Sequence, residues 1–299
     1  MPPGMDSLQG IGTRLTTEMQ DKVCLVTGAN SGIGKATALA LARKGATVVM
    51  VCRSRDRGEA ARADITTWSG NESVNLLIAD LSSQRAIRQV AEEFCRRYER
   101  LDALVNNAGA IFGTRRVTED GLEATFALNH LSYFLLTNLL IKVLKASAPS
   151  RIVNVGSAAH ERATIDFDDL QSERRYDCRR AYAVSKLANV LFTYELARSL
   201  EGTGVTANCV HPGSVATNFN KEAVLWLRLA WTLMRPVLLS PERGSETVIH
   251  LASSPELEGM TGKYFIKKTP VPSSAESYSL DAARRLWDVS ADLTKLKAP

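Results

Sequence analysis

From Lys22 onward, short apolar runs rich in Val, Ile and Leu alternate with longer stretches whose apolar residues recur three and four positions apart. The short runs are typical of buried strands, and the longer stretches of helices that pack one face on a sheet. Because strand–helix–strand units cross over with one hand, the alternation predicts an α/β fold, a doubly wound parallel sheet of about seven strands with helices on both faces. The predicted strands are 23–27, 47–52, 74–79, 103–106, 152–156, 205–210 and 263–266, and the predicted helices lie near 33–44, 55–68, 83–98, 130–146, 182–201 and 242–253.

The same pattern predicts the domain organisation. A chain of 299 residues is long enough for one domain or two. No Pro- or Gly-rich linker interrupts the alternation, so we expect a single domain over residues 21–299. Residues 1–20 carry only a weak apolar stripe and form an N-terminal extension to which the sequence assigns no function.

Composition narrows the partners and the compartment. The chain has 37 Lys and Arg against 32 Asp and Glu, but these cations occur in scattered pairs and not in the cluster that a nucleic-acid surface needs, so we expect no nucleic-acid partner. The five cysteines include no Cys-x-x-Cys pair, and Cys24, Cys52 and Cys209 fall in strand-like runs, which predicts buried thiols in a reducing compartment. There is no secretory-signal pattern and no uncharged apolar stretch of spanning length, so we expect a soluble, cytoplasmic protein.

A glycine-rich turn lies between the first predicted strand and the first predicted helix. Glycines there allow a tight turn and let the backbone approach a pyrophosphate, whose charge is met by free N–H groups at the helix N-terminus. The turn therefore predicts a dinucleotide site. The residues expected to contact the cofactor are Gly28, Asn30, Ser31, Gly32, Ile33 and Gly34.

The spacing of these glycines is G-x-x-x-G-x-G, and further motifs follow in order: Asp80-Leu81 after the third strand, Asn106 to Gly109 after the fourth, Ser157 after the fifth and Pro212-Gly213 after the sixth. This order resembles the short-chain dehydrogenase/reductase family, in particular its retinol dehydrogenase-like branch, over about residues 20–270. The resemblance implies a Rossmann fold that binds a nicotinamide cofactor. It implies further cofactor contacts at Asp80, Leu81, Asn107, Ala108, Gly109, Pro212, Gly213 and Thr217, and a catalytic set of Asn129, Ser157, Tyr182 and Lys186, of which Tyr182 and Lys186 also hold the cofactor.

Tyr182 and Lys186 are four residues apart on a predicted helix, so their side chains lie on one face. A free tyrosine has a pKa near 10, and a fixed ammonium group nearby favours its phenolate. We therefore expect Lys186 to lower the pKa of Tyr182. The resemblance adds that Lys186 binds the ribose of the nicotinamide, that Ser157 binds the substrate oxygen, and that Asn129 helps to hold a proton-relay water.

The end of the second predicted strand indicates which cofactor is used. An NAD site typically places a carboxylate there to bind the ribose 2′-hydroxyl, whereas a 2′-phosphate calls for a cation. The run here is Val51-Cys52-Arg53-Ser54-Arg55, with Arg57 close behind. Because Arg53 is suited to charge-assisted bonds with phosphate, the sequence favours NADP(H) over NAD(H).

Two segments bear on the substrate and on the membrane. Tyr182 follows Ser157 by 25 positions, an interval similar to that of the retinol dehydrogenase-like branch, and the intervening charged residues are either an excursion beside the active site or a plain surface loop. The mostly apolar segment 223–239 lies in the region, about 214–240, that forms a lid over the substrate in the family. Packing against the core and peripheral contact with a membrane surface are the alternatives for 223–239.

The sequence thus predicts an NADP(H)-dependent oxidoreductase that interconverts a carbonyl and an alcohol on a fairly apolar substrate of retinoid, steroid or aldehyde type. The alternative is a cofactor-binding sensor or scaffold of the same fold without catalysis. The four histidines are isolated in the sequence, so no metal site is expected. His130 and His160 are expected to lie near the catalytic centre as packing residues. The resemblance also allows a homodimer through the apolar helix around 131–144 and the Tyr182 helix.

Overall fold

Eight strands form one sheet in the computed structural model, which describes residues 17–215 and 238–296. Their order is β3-β2-β1-β4-β5-β6-β7-β8, and every neighbouring pair is parallel except β7–β8. The predicted doubly wound α/β fold is thus confirmed, with one strand more than expected. The strands are β1 (Val23–Thr27), β2 (Thr47–Cys52), β3 (Val74–Ile78), β4 (Ala103–Asn106), β5 (Ser150–Val155), β6 (Val205–His211), β7 (Tyr264–Ile266) and β8 (Thr269–Val271).

Helices cover both faces of the sheet. The described helices are α1 (Gly32–Arg43), α2 (Arg55–Ser69), α3 (Gln84–Arg97), α4 (Ala124–Phe126), a π-helical turn (Ala127–Leu131) that continues into α5 (Ser132–Ala146), α6 (Cys178–Ser199), α7 (Pro241–Ser253) and α8 (Leu280–Leu293). Short 3₁₀ helices lie at Ala158–Arg162, Pro255–Leu257 and Ala275–Tyr278.

The core consists of two apolar layers because successive residues of a strand point to opposite faces. Leu25 of β1 packs with Phe94, Leu140 and Phe192, which come from α3, α5 and α6. Its neighbour Val26 belongs to the opposite layer, with residues of α1, α2 and α7. The strands are therefore buried on both faces, which explains why their sequences are continuous apolar runs and do not alternate.

Strand order reverses at β1, which pairs with β2 on one side and with β4 on the other. The carboxyl ends of these parallel strands, at Thr27, Cys52 and Asn106, lie along one edge of the sheet. In open α/β sheets, ligands bind in the crevice at this edge, next to the point of reversal. The fold therefore brings together the segments that the sequence singles out.

Two C-terminal elements were not predicted. β8 is only three residues long and contains Pro270, so it carries no recognisable strand pattern. Ser279 caps the N-terminus of α8, because its hydroxyl accepts a hydrogen bond from the Ala282 N–H at 3.2 Å. The helix α8 packs on α5 and α6. The predicted element boundaries otherwise agree to within about two residues, except that α6 begins four residues earlier than predicted.

One continuous helical stretch, Ala124–Ala146, is long and apolar enough to cross a membrane by length and composition. This differs from the sequence expectation, because the short α4, the π-helical turn and α5 join without a break. Within the window concerned, 67% of the residues are buried in the fold. Its hydrophobicity is accounted for by core packing.

The segment that the family resemblance assigns to a lid, 214–240, lies largely outside the described residues, as do Thr217 and most of 223–239. The chain leaves the described part at Val215 and re-enters it at 238. At this place the Leu239 N–H donates to the Ser214 carbonyl at 2.8 Å, and Val215 and Leu239 form a parallel bridge.

Candidate active site

A cavity of about 730 Å³ opens at the carboxyl edge of the sheet, next to the reversal of strand order. Its lining brings together predicted residues that are spread over nearly 190 positions of the sequence. Those that line it are Gly28, Asn30, Ser31, Gly32, Ile33, Gly34, Arg53, Asp80, Leu81, Asn107, Ala108, Gly109, Ser157, Tyr182, Lys186, Pro212 and Gly213.

The glycine turn lies at one end of this cavity. Gly28 has φ +67°, in the left-handed region where glycine is favoured, and a Cβ on Gly34 would lie only 2.4 Å from the Gly28 carbonyl oxygen. Ser31 occupies the N-cap position of α1, but its side chain makes no capping hydrogen bond. The first turn of α1 carries no acidic residue. The helix N-terminus thus presents backbone N–H groups and positive dipole to the cavity, as a phosphate site requires.

Thr27, which the sequence analysis did not single out, fastens this turn to the end of β4. Its hydroxyl accepts from the backbone N–H groups of Asn107 at 2.8 Å and Ala108 at 3.0 Å. The Asn107 side chain donates back to the Thr27 carbonyl at 2.8 Å. Asn107 therefore shapes the cavity wall by joining two strand ends. A polar residue at the end of a buried strand was the only available signal for Thr27.

Tyr182 and Ser157 meet at the other end of the cavity. The Ser157 hydroxyl hydrogen-bonds the Tyr182 phenol, and this bond lowers the pKa of Tyr182. Burial acts more strongly in the opposite direction, so the pKa of Tyr182 is raised overall. At neutral pH the phenol is protonated and held against a second hydroxyl.

Lys186 lies one turn further along α6, on the same face as Tyr182. Its Nζ donates to the Val155 carbonyl at 2.7 Å and lies 5.8 Å from the centre of the Tyr182 ring. Burial lowers the pKa of Lys186 to about 8. The expected lowering of the Tyr182 pKa by Lys186 is not found in this structure: burial raises that pKa, Ser157 is the group that lowers it, and the Lys186 ammonium donates to the Val155 carbonyl instead.

Asn129 lies behind the cavity wall, fully buried in the π-helical turn. Its side chain accepts from the Ala110 N–H at 2.9 Å and donates to the Ala110 carbonyl at 3.0 Å. The same amide donates to the Ser185 hydroxyl at 3.1 Å, and Ser185 in turn donates to the Tyr182 carbonyl at 2.7 Å. Asn129 is thus attached to α6 at the turn that carries Tyr182.

Two arginines and an ion pair line the part of the cavity near the end of β2. Arg53 follows β2, and Arg57 lies in the first turn of α2, where its N–H caps onto the Ser54 hydroxyl at 3.5 Å. Lys35 and Asp64, which sequence reasoning missed, line the same region and form an ion pair of 2.5 Å. Lys35 follows the last glycine of the turn directly, whereas nothing in the sequence marks Asp64.

The charged stretch between Ser157 and Tyr182 packs beside the site. Tyr176 contacts the apolar group formed by Ile111, Cys178 and Tyr182. Its hydroxyl donates to the Phe112 carbonyl at 2.8 Å and pairs with Thr125 Oγ1 at 3.1 Å. Because Ile111 and Phe112 line the cavity, this excursion supports one of its walls.

The histidines have hydrogen-bonding roles in the described structure. His160 is buried and its Nδ1 pairs with the Ser157 carbonyl at 2.7 Å, while its Nε2 accepts from the Ser274 N–H at 3.1 Å. His211 lines the cavity and accepts from the Ala158 N–H at 3.3 Å. His130, in the π-helical turn, is fully buried and pairs with Asn189 and Ser290. Over residues 17–215 and 238–296, no three His, Cys, Asp or Glu side chains are grouped to hold a metal ion.

Comparisons with known proteins identify this arrangement. The sequence model of the short chain dehydrogenase family matches residues 22–228. The chain is 44% identical to human retinol dehydrogenase 11, over 94% of this chain and 88% of that protein.

Two solved structures are similar to the chain. An uncharacterized protein from Mycobacterium paratuberculosis is 31% identical, with a TM-score of 0.77 over 95% of this chain and 97% of that one. A short chain dehydrogenase from Burkholderia cenocepacia, in complex with NADP, is 26% identical with a TM-score of 0.67, over 88% of this chain and 100% of that one. The chain therefore belongs to the short-chain dehydrogenase family of oxidoreductases, in its retinol dehydrogenase-like branch.

Proposed function

We propose that the protein is an NADP(H)-dependent oxidoreductase that interconverts a carbonyl and an alcohol on a fairly apolar substrate. The observation that carries the proposal is the hydrogen-bonded pair of Tyr182 and Ser157 in a cavity whose other end is the glycine turn. The proposal is supported because a phenol and a glycine turn at a helix N-terminus line the same cavity, and reduction of a carbonyl by a dinucleotide needs both a proton donor and a phosphate-binding turn.

Residues of the cavity fit a nicotinamide dinucleotide. The α1 N-terminus and the glycine turn offer N–H groups for the pyrophosphate. Position 34 has to be glycine, because a Cβ there would collide with the Gly28 carbonyl and disrupt the turn. When bound, the cofactor supplies or accepts the hydride. Asp80, Leu81, Ala108, Gly109, Pro212 and Gly213 complete the proposed binding surface.

Tyr182 is the proposed acid and base. In the reductive direction its phenol donates a proton to the substrate oxygen, and the raised pKa keeps that proton in place at neutral pH. The Ser157 hydroxyl donates a hydrogen bond to the same oxygen as negative charge develops on it. In the oxidative direction the deprotonated Tyr182 accepts the proton of the alcohol, and the Ser157 hydroxyl again donates a hydrogen bond to the same oxygen.

Lys186 and Asn129 are the proposed supporting groups. Lys186, with its pKa near 8, carries enough positive charge at pH 7 to bind the ribose and to return a proton to Tyr182. Asn129, bonded to Ala110 and Ser185, fixes the helix turn on which Tyr182 sits and helps to hold a relay water.

Preference for NADP(H) is supported by the cations at the end of β2. Arg53 and Arg57 both line the cavity there, and no carboxylate follows β2 directly. Guanidinium groups bind phosphate with charge-assisted and often bidentate hydrogen bonds. The structural relative from Burkholderia cenocepacia, which was solved with NADP, agrees with this choice.

An apolar substrate is supported by the wall made of Ile111, Phe112 and Val215. The curated relatives are named for retinol, a long apolar alcohol, and this makes retinoids the first class to try. Aliphatic aldehydes and steroids share the same combination of one polar oxygen and an apolar body.

The test is a panel of aldehydes, ketones and alcohols of graded size, followed at the NADPH absorbance with NADH run in parallel. We expect turnover of the larger apolar members, with the higher kcat/KM for NADPH. If NADPH binds and no member is oxidised or reduced, the protein is a cofactor-binding sensor or scaffold and the proposal is wrong.

A further inference from the structure

A buried chain of hydrogen bonds joins the C-terminal helix α8 to Asn129. The Asn189 side chain on α6 donates to the Asn129 carbonyl at 2.8 Å. Its oxygen pairs with His130 Nδ1 at 3.2 Å, and His130 Nε2 pairs with the Ser290 hydroxyl of α8 at 3.0 Å. All four residues are fully buried.

The donors in this chain can be assigned from its ends. Because the Asn189 NH₂ group donates to the Asn129 carbonyl, its oxygen is the atom that faces His130 and must accept. His130 Nδ1 therefore carries the proton. Burial lowers the pKa of His130 to about 4, so the ring is neutral and Nε2 is left as an acceptor for the Ser290 hydroxyl.

Apolar packing fixes the histidine ring. The Phe126 ring lies 5.0 Å from His130 and the Phe192 ring 6.1 Å, centroid to centroid. The Trp287 ring of α8, one turn before Ser290, lies 5.8 Å from the Phe192 ring and is tilted by 33° to it. Inside such an apolar shell, a polar group that loses its hydrogen-bond partner does not find water as a replacement. Breaking any one of these hydrogen bonds therefore has a high cost in free energy.

Asn129 needs this support because of its place in the backbone. It belongs to a π-helical turn, whose hydrogen-bonding pattern departs from that of the adjoining α5. Its side chain is committed to Ala110 and Ser185 in front, toward the cavity. Its carbonyl is held from behind by Asn189, and through it by His130.

We propose that His130 and Ser290 are positioning residues for Asn129, and that α8 thereby sets the geometry of proton return at the active site. The inference rests on the proposed function, which gives Asn129 its role. It extends the functional unit to a helix that lies beyond residues 22–228, the part matched by the family's sequence model.

The test compares Ser290→Ala with Ser253→Ala. Ser253 is a matched control, since it is also a buried hydroxyl on a helix, but among the described contacts its side chain bonds only the Ile249 carbonyl of its own helix α7. We expect kcat of Ser290→Ala to fall about two- to thirtyfold, the range typical of mutations that act through coupled networks, with the KM for NADPH unchanged. Ser290→Thr, which keeps the hydroxyl, should restore kcat.

A double-mutant cycle with Asn129→Ala decides whether Ser290 acts through Asn129. In the Asn129→Ala background, Ser290→Ala should change kcat by less than about twofold, because the Asn129 side chain, which the bond to the backbone carbonyl keeps in position, is gone. Equal kcat values for Ser290→Ala and Ser253→Ala, or additive effects in the cycle, would overturn the inference. If Ser290→Ala does not fold, Ser290→Cys, which keeps the volume and weakens the bond, serves in the same cycle with a smaller expected loss.

The two proposals fail in different ways. A wild-type protein that turns over the panel, together with an inactive Tyr182→Phe variant and an additive cycle, leaves the proposed function in place and removes the role of α8. A wild-type protein that binds NADPH and turns over no panel member overturns both.

Discussion

Tyr182 is the residue whose replacement bears most directly on the mechanism. Tyr182→Phe removes the phenol proton and leaves the ring in place. Because positioned acid–base groups contribute roughly 10²- to 10⁴-fold, we expect kcat to fall at least about a hundredfold with little change in the Kd for NADPH. Steady-state turnover assays measure kcat, and fluorescence titration with NADPH measures the Kd.

Tyr98→Phe is the matched control for that experiment, since Tyr98 follows α3 and packs on Phe94, away from the cavity. It should behave as wild type in both measurements. Turnover retained by Tyr182→Phe would refute the assignment of Tyr182 as the acid.

Arg53 is the residue expected to distinguish the two nicotinamide cofactors. Arg53→Ala should raise the KM for NADPH about tenfold or more, because a charge-assisted contact to the 2′-phosphate is lost, while the KM for NADH stays near its wild-type value. Arg55→Ala is the control, since Arg55 is not among the residues that line the cavity. Equal changes for the two cofactors would exclude Arg53 as the discriminating group.

At the level of single residues, the sequence was informative where chemistry demands a particular residue type. The glycines, Ser157, Tyr182 and Lys186 all line one cavity, as their motifs predict. Thr27 and Asp64 were missed because a threonine or an aspartate is compatible with many roles, and only the fold brings Thr27 next to Asn107. The pKa of Tyr182 was also misjudged, since its burial is a property of the assembled site.

Among the elements, the π-helical turn before α5 makes stability depend on pH through His130. The pKa of His130 is lowered from 6.5 to about 4 in the folded protein, because burial disfavours the charged ring. The unfolded chain therefore binds a proton that the folded protein does not, and stability falls as pH drops through this window. Between pH 7 and pH 4.5, this one group should lower the free energy of unfolding by about 2 to 3 kcal/mol.

The measurement is the free energy of unfolding in urea at pH 7 and pH 4.5, for wild type and His130→Gln. Glutamine is polar and does not titrate, so the variant should lose less stability between the two pH values than the wild type does. Parallel losses in the two proteins would show that His130 does not control the acid response.

Element boundaries were largely predictable from the sequence because the strands are buried on both faces and read as continuous apolar runs. The C-terminal elements were not. The face that α8 buries includes Ala283, Leu286 and Ser290, two small residues with one large one, which is a weak apolar stripe. Its partner surface on α5 and α6 is formed only after the chain has folded, so the packing that stabilises α8 is non-local.

On the scale of the whole molecule, α8 covers part of the α5 and α6 surface through which the family resemblance allows a homodimer. Trp287 packs edge-on against Phe134 at 5.0 Å and on Phe192 at 5.8 Å. A dimer that used this same surface would first have to displace α8 and expose these rings.

We therefore expect the sheet and α8 to unfold together as one cooperative unit. Trp287→Ala should lower the free energy of unfolding by about 3 kcal/mol, whereas Arg284→Ala on the exposed side of α8 should change it little. The loss of far-UV circular dichroism and the loss of NADPH binding should follow a single transition in urea. A separate early transition for α8 would contradict this prediction.

The hydrogen bond between the Ser214 carbonyl and the Leu239 N–H joins two points of the chain that are 25 residues apart in sequence. The residues that flank the intervening segment are bonded to each other at the rim of the cavity, beside Val215. The geometry of the sheet therefore depends little on the length and sequence of that segment. Loop-closure cost grows only slowly with length once the ends are fixed. We therefore expect that a change in the length or sequence of this segment leaves Ser157, Tyr182 and Lys186 where they are.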